Sequence, residues 1–243
     1  MVNHPSIFLG LLALLALLGA APATAPSDRR FSIGERIDGD DFTGDMNHWV
    51  SELENGGKIT AADGTLDIDV PAGASVWFKP RLSGPVMIQY RITAIASGGP
   101  NDRVSDVNCF WMASDSRNTA DFFAVHRSGK FADYNRLLTY YVGLGGNTNT
   151  TTRFRRYVGD AVDRPLLPQN DLRDAANLIT PNAEMWIQLI AADHLIQFYR
   201  DGKKIFEMDD TQPYTSGYFG FRTVKSHLRV RDFAVYQLRL NSN

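Results

Sequence analysis

Between Leu138 and Tyr157 the chain gathers Arg153, Arg155 and Arg156, Tyr140, Tyr141 and Tyr157, Asn147 and Asn149, and a threonine-rich turn after Gly145-Gly146. Guanidinium forks bind planar carboxylates through two parallel hydrogen bonds, tyrosine stacks on a sugar ring or transfers a proton, and asparagine reads hydroxyl groups. That inventory suits an acidic carbohydrate. A plain solvated hairpin with a few surface ion pairs is the alternative that the same residues allow.

Cleavage of a uronate chain by β-elimination needs three parts. A cation or amide neutralises the substrate carboxylate so that the neighbouring C5 proton becomes acidic, a base removes that proton, and an acid protonates the departing oxygen. Arg153 or Arg155, with Asn108 or Asn147, is expected to neutralise the carboxylate. His126, Tyr141 and Tyr157 are the expected base and acid, since a cationic neighbour lowers a phenol's pKa. With Arg155 these make the expected catalytic set; Asn108, Asn147, Arg153 and Arg156 are expected to hold substrate. A basic stretch, Arg222-Thr223-Val224-Lys225-Ser226-His227, supplies Arg222, Lys225 and His227 as residues that close one end of the groove. Each has a structural reading beside it: His126 as a hydrogen-bonded histidine, Tyr140 as core, the asparagines as turn formers, the basic stretch as an ordinary loop.

Strand alternation decides which of these side chains share a face. If Val107, Cys109 and Trp111 point inward, then Asp106, Asn108 and Phe110 point outward. The same rule sends Phe123 and Val125 in and Ala124 and His126 out, Tyr140 and Val142 in and Thr139 and Tyr141 out, Phe154 in and Arg153, Arg155 and Tyr157 out. Arg156 breaks that pattern unless the strand stops or bulges there. A two-carboxylate hydrolase fits poorly, because no Glu-x-Asp-x-x-Glu run occurs and the glutamates Glu52, Glu54, Glu184 and Glu207 are scattered.

The elements that must position these groups are strands. Alternating segments recur near Trp49 to Leu53, Thr65 to Val70, Ser75 to Lys79, Val86 to Ile95, Val104 to Ala113, Phe122 to Arg127, Leu137 to Gly143 and Arg153 to Tyr157. A second series covers Met185 to Ala191, Leu195 to Arg200, Lys204 to Met208, Tyr218 to Arg222 and Leu228 to Leu238. Only Gln169 to Leu178 has any helical character. The spacing predicts an all-β fold, two stacked antiparallel sheets.

Ile7 to Leu18 is an apolar run followed by Ala21-Pro22-Ala23 and Ala23-Thr24-Ala25, the pattern of a secretory signal. Residues 1–25 are therefore expected to be removed, leaving 26–243 as one domain in the periplasm or the medium, off the membrane and monomeric. Cys109 has no cysteine partner within the chain and sits among apolar residues as part of the core. Lys+Arg 25 against Asp+Glu 27 gives a net charge of −2, which excludes nucleic-acid binding through bulk basicity. Five histidines without ligand-like spacing predict no metal cofactor, although a calcium ion held by backbone carbonyls would leave no mark in the sequence.

Met185-Trp186-Ile187-Gln188-Leu189, the hairpin Ile196 to Ile205 around Asp201-Gly202, Gly217-Tyr218-Phe219-Gly220-Phe221-Arg222 and Val230 to Tyr236 resemble the closing strands of concanavalin A-like, laminin-G-like jelly rolls. Asn108 to Asp115 and Gly145 to Tyr157 are similar to a secreted bacterial family on this fold, long without an assigned function. The resemblance implies a concanavalin A-like jelly-roll sandwich and a glycan partner, since relatives include polysaccharide lyases, glycosidases and sugar-binding modules. The function expected is a polysaccharide lyase acting on an acidic polysaccharide. The alternatives are a non-catalytic carbohydrate-binding module and a glycoside hydrolase acting on unusual or oxidised sugars.

Overall fold

Fourteen strands form within residues 26–241, the part of the chain that the computed structural model describes; the expected signal, residues 1–25, lies outside the described residues. In chain order they are β1 (Phe31–Asp40), β2 (Trp49–Leu53), β3 (Lys58–Ala62), β4 (Thr65–Phe78), β5 (Leu82–Ser83), β6 (Val86–Ala94) and β7 (Val107–Asp115). There follow β8 (Leu137–Gly145), β9 (Thr151–Val158), β10 (Asp171–Leu172), β11 (Glu184–Ala192), β12 (Leu195–Arg200), β13 (Lys203–Asp209) and β14 (Ser216–Leu240). All the pairings between these strands are antiparallel, in the order β10-β9-β8-β7-β14-β6-β11-β12-β13, with β1, β4 and β5 also on β14 and β2 and β3 on β4. The expected all-β jelly roll is the fold observed.

Two long strands carry the chain between the layers. β14 runs on through what reads in sequence as two strands, with positive φ at Lys225 (44°) and Asp232 (56°) turning it without breaking its ladder. Its first part pairs with β7 and its last with β6. β4 does the same: the register against β14 shifts between Val70 and Gly73, so Pro71 is absorbed in a bulge rather than ending the strand. The core between the layers takes the inward side chains of both, including Cys109, Trp111, Tyr140, Val142 and Phe154 from one and Ile187, Phe198, Phe206 and Val235 from the other. Phe154 stacks on Phe206 across it at 5.7 Å between ring centroids. Burial pushes the Cys109 thiol up to about 12, so it is an inert core group.

One expected strand is absent. Phe122 to Arg127 does not join the sheet; instead the connection from β7 to β8 crosses the outer face of β4, β14, β7 and β8 through 3₁₀ turns at Phe122–Ala124 and Phe131–Tyr134. Local side-chain acceptors outcompete a ladder here. Asp121 Oδ1 accepts from the backbone N–H groups of Phe123 and Ala124 at 3.1 Å each, and Asp133 Oδ2 accepts from Ser128 N–H at 2.7 Å. The stretch Gln169 to Leu178 holds two further 3₁₀ turns, Pro168–Asn170 and Ala175–Asn177, and the short β10 rather than an α-helix.

Candidate functional site

Register aligns the outer face residue by residue. Ser75, Arg222, Asn108, Gly143, Arg153 and Asp171 form one row across β4, β14, β7, β8, β9 and β10. Trp77, Gly220, Phe110, Tyr141 and Arg155 form the next. The glycines in these rows make room for the aromatic neighbours. A Cβ on Gly220 would stand 2.5 Å from Trp77 Cε3, and one on Gly143 would stand 3.1 Å from Tyr141 Oη. Tyr141 therefore folds down over the Gly143 backbone.

The crossing segment covers most of this face. Its Phe122 and Tyr134 pack on Trp77, Phe110, Tyr141 and Tyr157 to make a second apolar cluster. It is clamped by Arg127, whose side chain is fully buried. The guanidinium donates to Glu52 Oε1 at 2.9 Å and Asp115 Oδ2 at 3.1 Å, and lies 4.1 Å from the Phe122 ring centroid. Glu52 Oε2 also accepts from Trp77 Nε1 at 2.9 Å and Tyr134 Oη at 2.8 Å. Burial raises the Glu52 carboxyl above the usual range against the pull of Arg127 and these donors.

What the segment leaves open is a cavity of about 290 Å³, lined by Asp106, Asn108, Tyr141, Asn147, Arg153, Arg155 and Arg164, with Phe131 at its edge. Arg153 is neutralised by Asp171 through two hydrogen bonds, 2.8 and 3.2 Å. Asp106 is held by Arg103 and by Ser105 Oγ at 2.7 Å. Arg155 and Arg164 have no carboxylate partner among the described residues. Arg155 donates from Nη1 to the Arg164 carbonyl, and Arg164 lies 4.9 Å from the Phe131 ring centroid. Burial, aided by repulsion from Arg164 and Arg153, holds the Arg155 pKa below its ordinary value. Guanidinium groups without a counter-charge in a half-buried hollow have the chemistry to take up an anion.

Five of the expected site residues meet at this cavity: Asn108, Asn147, Tyr141, Arg153 and Arg155. The others lie elsewhere. Tyr157 shares the face but is wholly buried beneath the crossing segment, its ring centroid 5.5 Å from that of Tyr141. Arg222 is buried as well, donating to the Gly129 carbonyl at 2.6 Å. Arg156 faces the other way, as unbroken alternation requires. It donates to Asp210 Oδ2 at 2.7 Å and to the Gln212 carbonyl at 2.7 Å, and lies over Tyr214. His227 bridges two carboxylates, Asp102 at 3.0 Å and Asp67 at 3.1 Å, and Lys225 is an exposed turn residue; neither lines the cavity. His126 is exposed on the crossing segment and lines a different hollow, with Glu52, Glu54 and Arg127.

The expected phenolate is corrected too. Burial raises the Tyr141 pKa well above the ordinary value, joined by repulsion from Tyr157 and Asp106, and burial also raises Tyr157 although three arginines pull the other way. Both phenols stay protonated at neutral pH. Arg164, Phe131 and Gly143, with Asp106, Gly146, Thr151 and Val224, line the cavity without having been among the expected site residues. Arg164 stands in an irregular loop before Pro165, where no periodicity reports a facing, and Phe131 sits on a turn whose path depends on Arg127.

The sequence matches a domain of unknown function, DUF6250, over residues 68–233, a span that holds β6 to β13, most of β4 and β14, and every cavity residue. The chain belongs to the DUF6250 family. Among curated proteins none matches it. Its fold is similar to that of a Bacillus subtilis protein of unknown function with a galectin-like fold, at TM-score 0.68 and 19% identity, over 87% of this chain and 100% of that one. It is also similar to the carbohydrate-binding module CBM66 from Bacillus subtilis, at TM-score 0.52 and 11% identity, over 78% of this chain and 96% of that one. β-Agarase B from Zobellia galactanivorans is a further likeness, at TM-score 0.53 and 11% identity, over 89% of this chain and 97% of that one. At these identities the likeness is one of fold. Among the described residues, no group of three or more His, Cys, Asp or Glu side chains could hold a metal ion.

Proposed function

We propose that this DUF6250 protein is a carbohydrate-active protein that recognises an anionic sugar residue in the arginine-lined cavity. Arg155 and Arg164, without acidic partners among the described residues, carry the reading. A uronate carboxylate or a sulfate ester would supply the missing charge, with Asn108 and Asn147 placed to meet hydroxyl groups and the buried Tyr141 lining the cavity beside them. Glycan-active structural neighbours on the same fold, a binding module and an agarase, support a carbohydrate ligand in general.

Binding without cleavage is the form that the geometry supports best. β-Elimination needs a base beside the ligand, yet His126 lines another hollow, Tyr141 is held in its protonated form, and Asp106 is engaged by Arg103. The test is a panel of alginate, polygalacturonate and chondroitin sulfate set against neutral agarose and starch, read by affinity electrophoresis and by the ultraviolet absorbance of an unsaturated uronate. Retardation by an acidic polymer without new absorbance is expected. New absorbance would restore the lyase reading, with Tyr141 as proton donor, and retardation by the neutral polymers alone would overturn anionic recognition. Export of the chain, also part of this reading, is checked by N-terminal sequencing of protein recovered from the periplasm or medium.

A further inference from the structure

Arg222 is a buried side chain of the outer face, 1% exposed, and among the described residues its only side-chain hydrogen bond runs from Nη1 to the Gly129 carbonyl. Among the described residues Nε and Nη2 have no hydrogen-bond partner, and Asn108, opposite Arg222 in the ladder and lining the cavity, has its Oδ1 unpaired as well. Burying unpaired guanidinium nitrogens is costly unless something compensates them. Two aromatic faces do so in part: the guanidinium carbon lies 5.0 Å from the Tyr134 ring centroid and 5.4 Å from that of Phe131. Phe131 also meets Arg164 and lines the open cavity, so one half-buried ring stands against both the cavity and Arg222.

Resting on the anionic-glycan reading, we propose that the binding surface continues beneath Phe131 to a second anion subsite at Arg222. Arg222 and Asn108 are directly paired across β14 and β7, one interstrand step of about 5 Å, so the unpaired groups of the two side chains belong to neighbouring positions of the outer face. Phe131 is carried on a 3₁₀ turn outside the sheet, so displacing its ring breaks no ladder hydrogen bond. A ligand group arriving there replaces a ring face by a charge-assisted hydrogen bond to Nε and Nη2.

The experiment follows the Nε–H signals of the arginines by NMR in the full chain while inorganic sulfate is added, in the parent and in Phe131→Ala. In the parent the Arg155 and Arg164 signals shift and Arg222 stays in place. In Phe131→Ala the Arg222 signal shifts as well, with a second saturable step that Arg222→Lys moves to higher sulfate concentration. If Arg155 and Arg164 respond in both proteins while Arg222 never does, the second subsite is wrong and the cavity reading stands. If Arg155 and Arg164 do not respond, the cavity reading itself fails. Should Phe131→Ala not fold, Phe131→Leu removes the ring face with less loss of volume and serves the same comparison.

Discussion

Two arginine groups lie on one face of this sandwich and differ in their counter-charges. Arg127 is enclosed by Glu52 and Asp115, and Trp77, Tyr134 and Arg117 each donate to one of those carboxylates. Arg155 and Arg164 border a hollow and have carbonyl and aromatic neighbours in place of acids. A matched buried cation holds a loop in place; an unmatched one at a cavity is left to meet a ligand.

The largest effect should come from the matched side. Arg127→Met leaves Glu52 and Asp115 buried beside each other without their shared cation, and should destabilise the fold by about 3–5 kcal/mol in urea denaturation. Adding Glu52→Gln should recover part of that loss, because the two changes act on one network. Equal stability of Arg127→Met and the parent would erase the distinction between the groups.

On the unmatched side, Arg155→Ala should weaken binding of the acidic polymer by about 1.5–3 kcal/mol, measured calorimetrically, with stability within about 0.5 kcal/mol of the parent. A large stability loss with unchanged affinity would reassign Arg155 to the scaffold. Gly143→Ala sharpens the contrast. Its Cβ would press on Tyr141 Oη at 3.1 Å, so stability should fall by about 1 kcal/mol, the low end for overpacking, and affinity should fall several-fold. Tyr141→Phe in the same background should recover part of the stability by removing the crowded oxygen, while the ring carbon Cε1, 3.2 Å from the added Cβ, keeps the rest of the strain.

The smallest effect concerns His227, a matched cation at the edge of the fold. Burial opposes its charge, but hydrogen bonds to Asp67 and Asp102 outweigh it and raise the pKa above 6.5. The folded state thus holds the proton more tightly than the unfolded one. The resulting stability is fully present below 6.5 and is lost as pH rises through the raised value. The parent should lose more stability over that interval than His227→Asn, and parallel pH profiles would show that the two carboxylates contribute nothing through this residue.

Much of the fold was legible. Alternation placed Asn108, Phe110, Tyr141, Arg153, Arg155 and Tyr157 on one face and Cys109, Trp111, Tyr140, Val142 and Phe154 on the other, which is the observed division. The errors fall where alternation was trusted outside a ladder. Phe122 to Arg127 alternates well enough to read as a strand, yet Asp121 and Asp133 tie its backbone into turns, and His126 moves with it away from Tyr141. β1 and β3 escaped notice because Phe31 to Asp40 is rich in charges and Lys58 to Ala62 is only a short run, and they gain their structure from β14 and β4.

By itself the sequence determined most of the strands, their two-sided facing and the presence of an arginine-rich outer surface, because a period of two is a local property of the backbone. Only the tertiary structure decided which arginines kept a counter-charge. Arg153 finds Asp171 at a separation of 18 residues, Arg156 finds Asp210 at 54 and Arg127 finds Glu52 at 75, pairings that no local pattern encodes. It also decided that Tyr157 and Arg222 lie under the crossing segment while Tyr141 and Arg155 reach the cavity. Burial and charge balance are sums over neighbours brought together by the fold, and for this face most of those neighbours are distant in the chain.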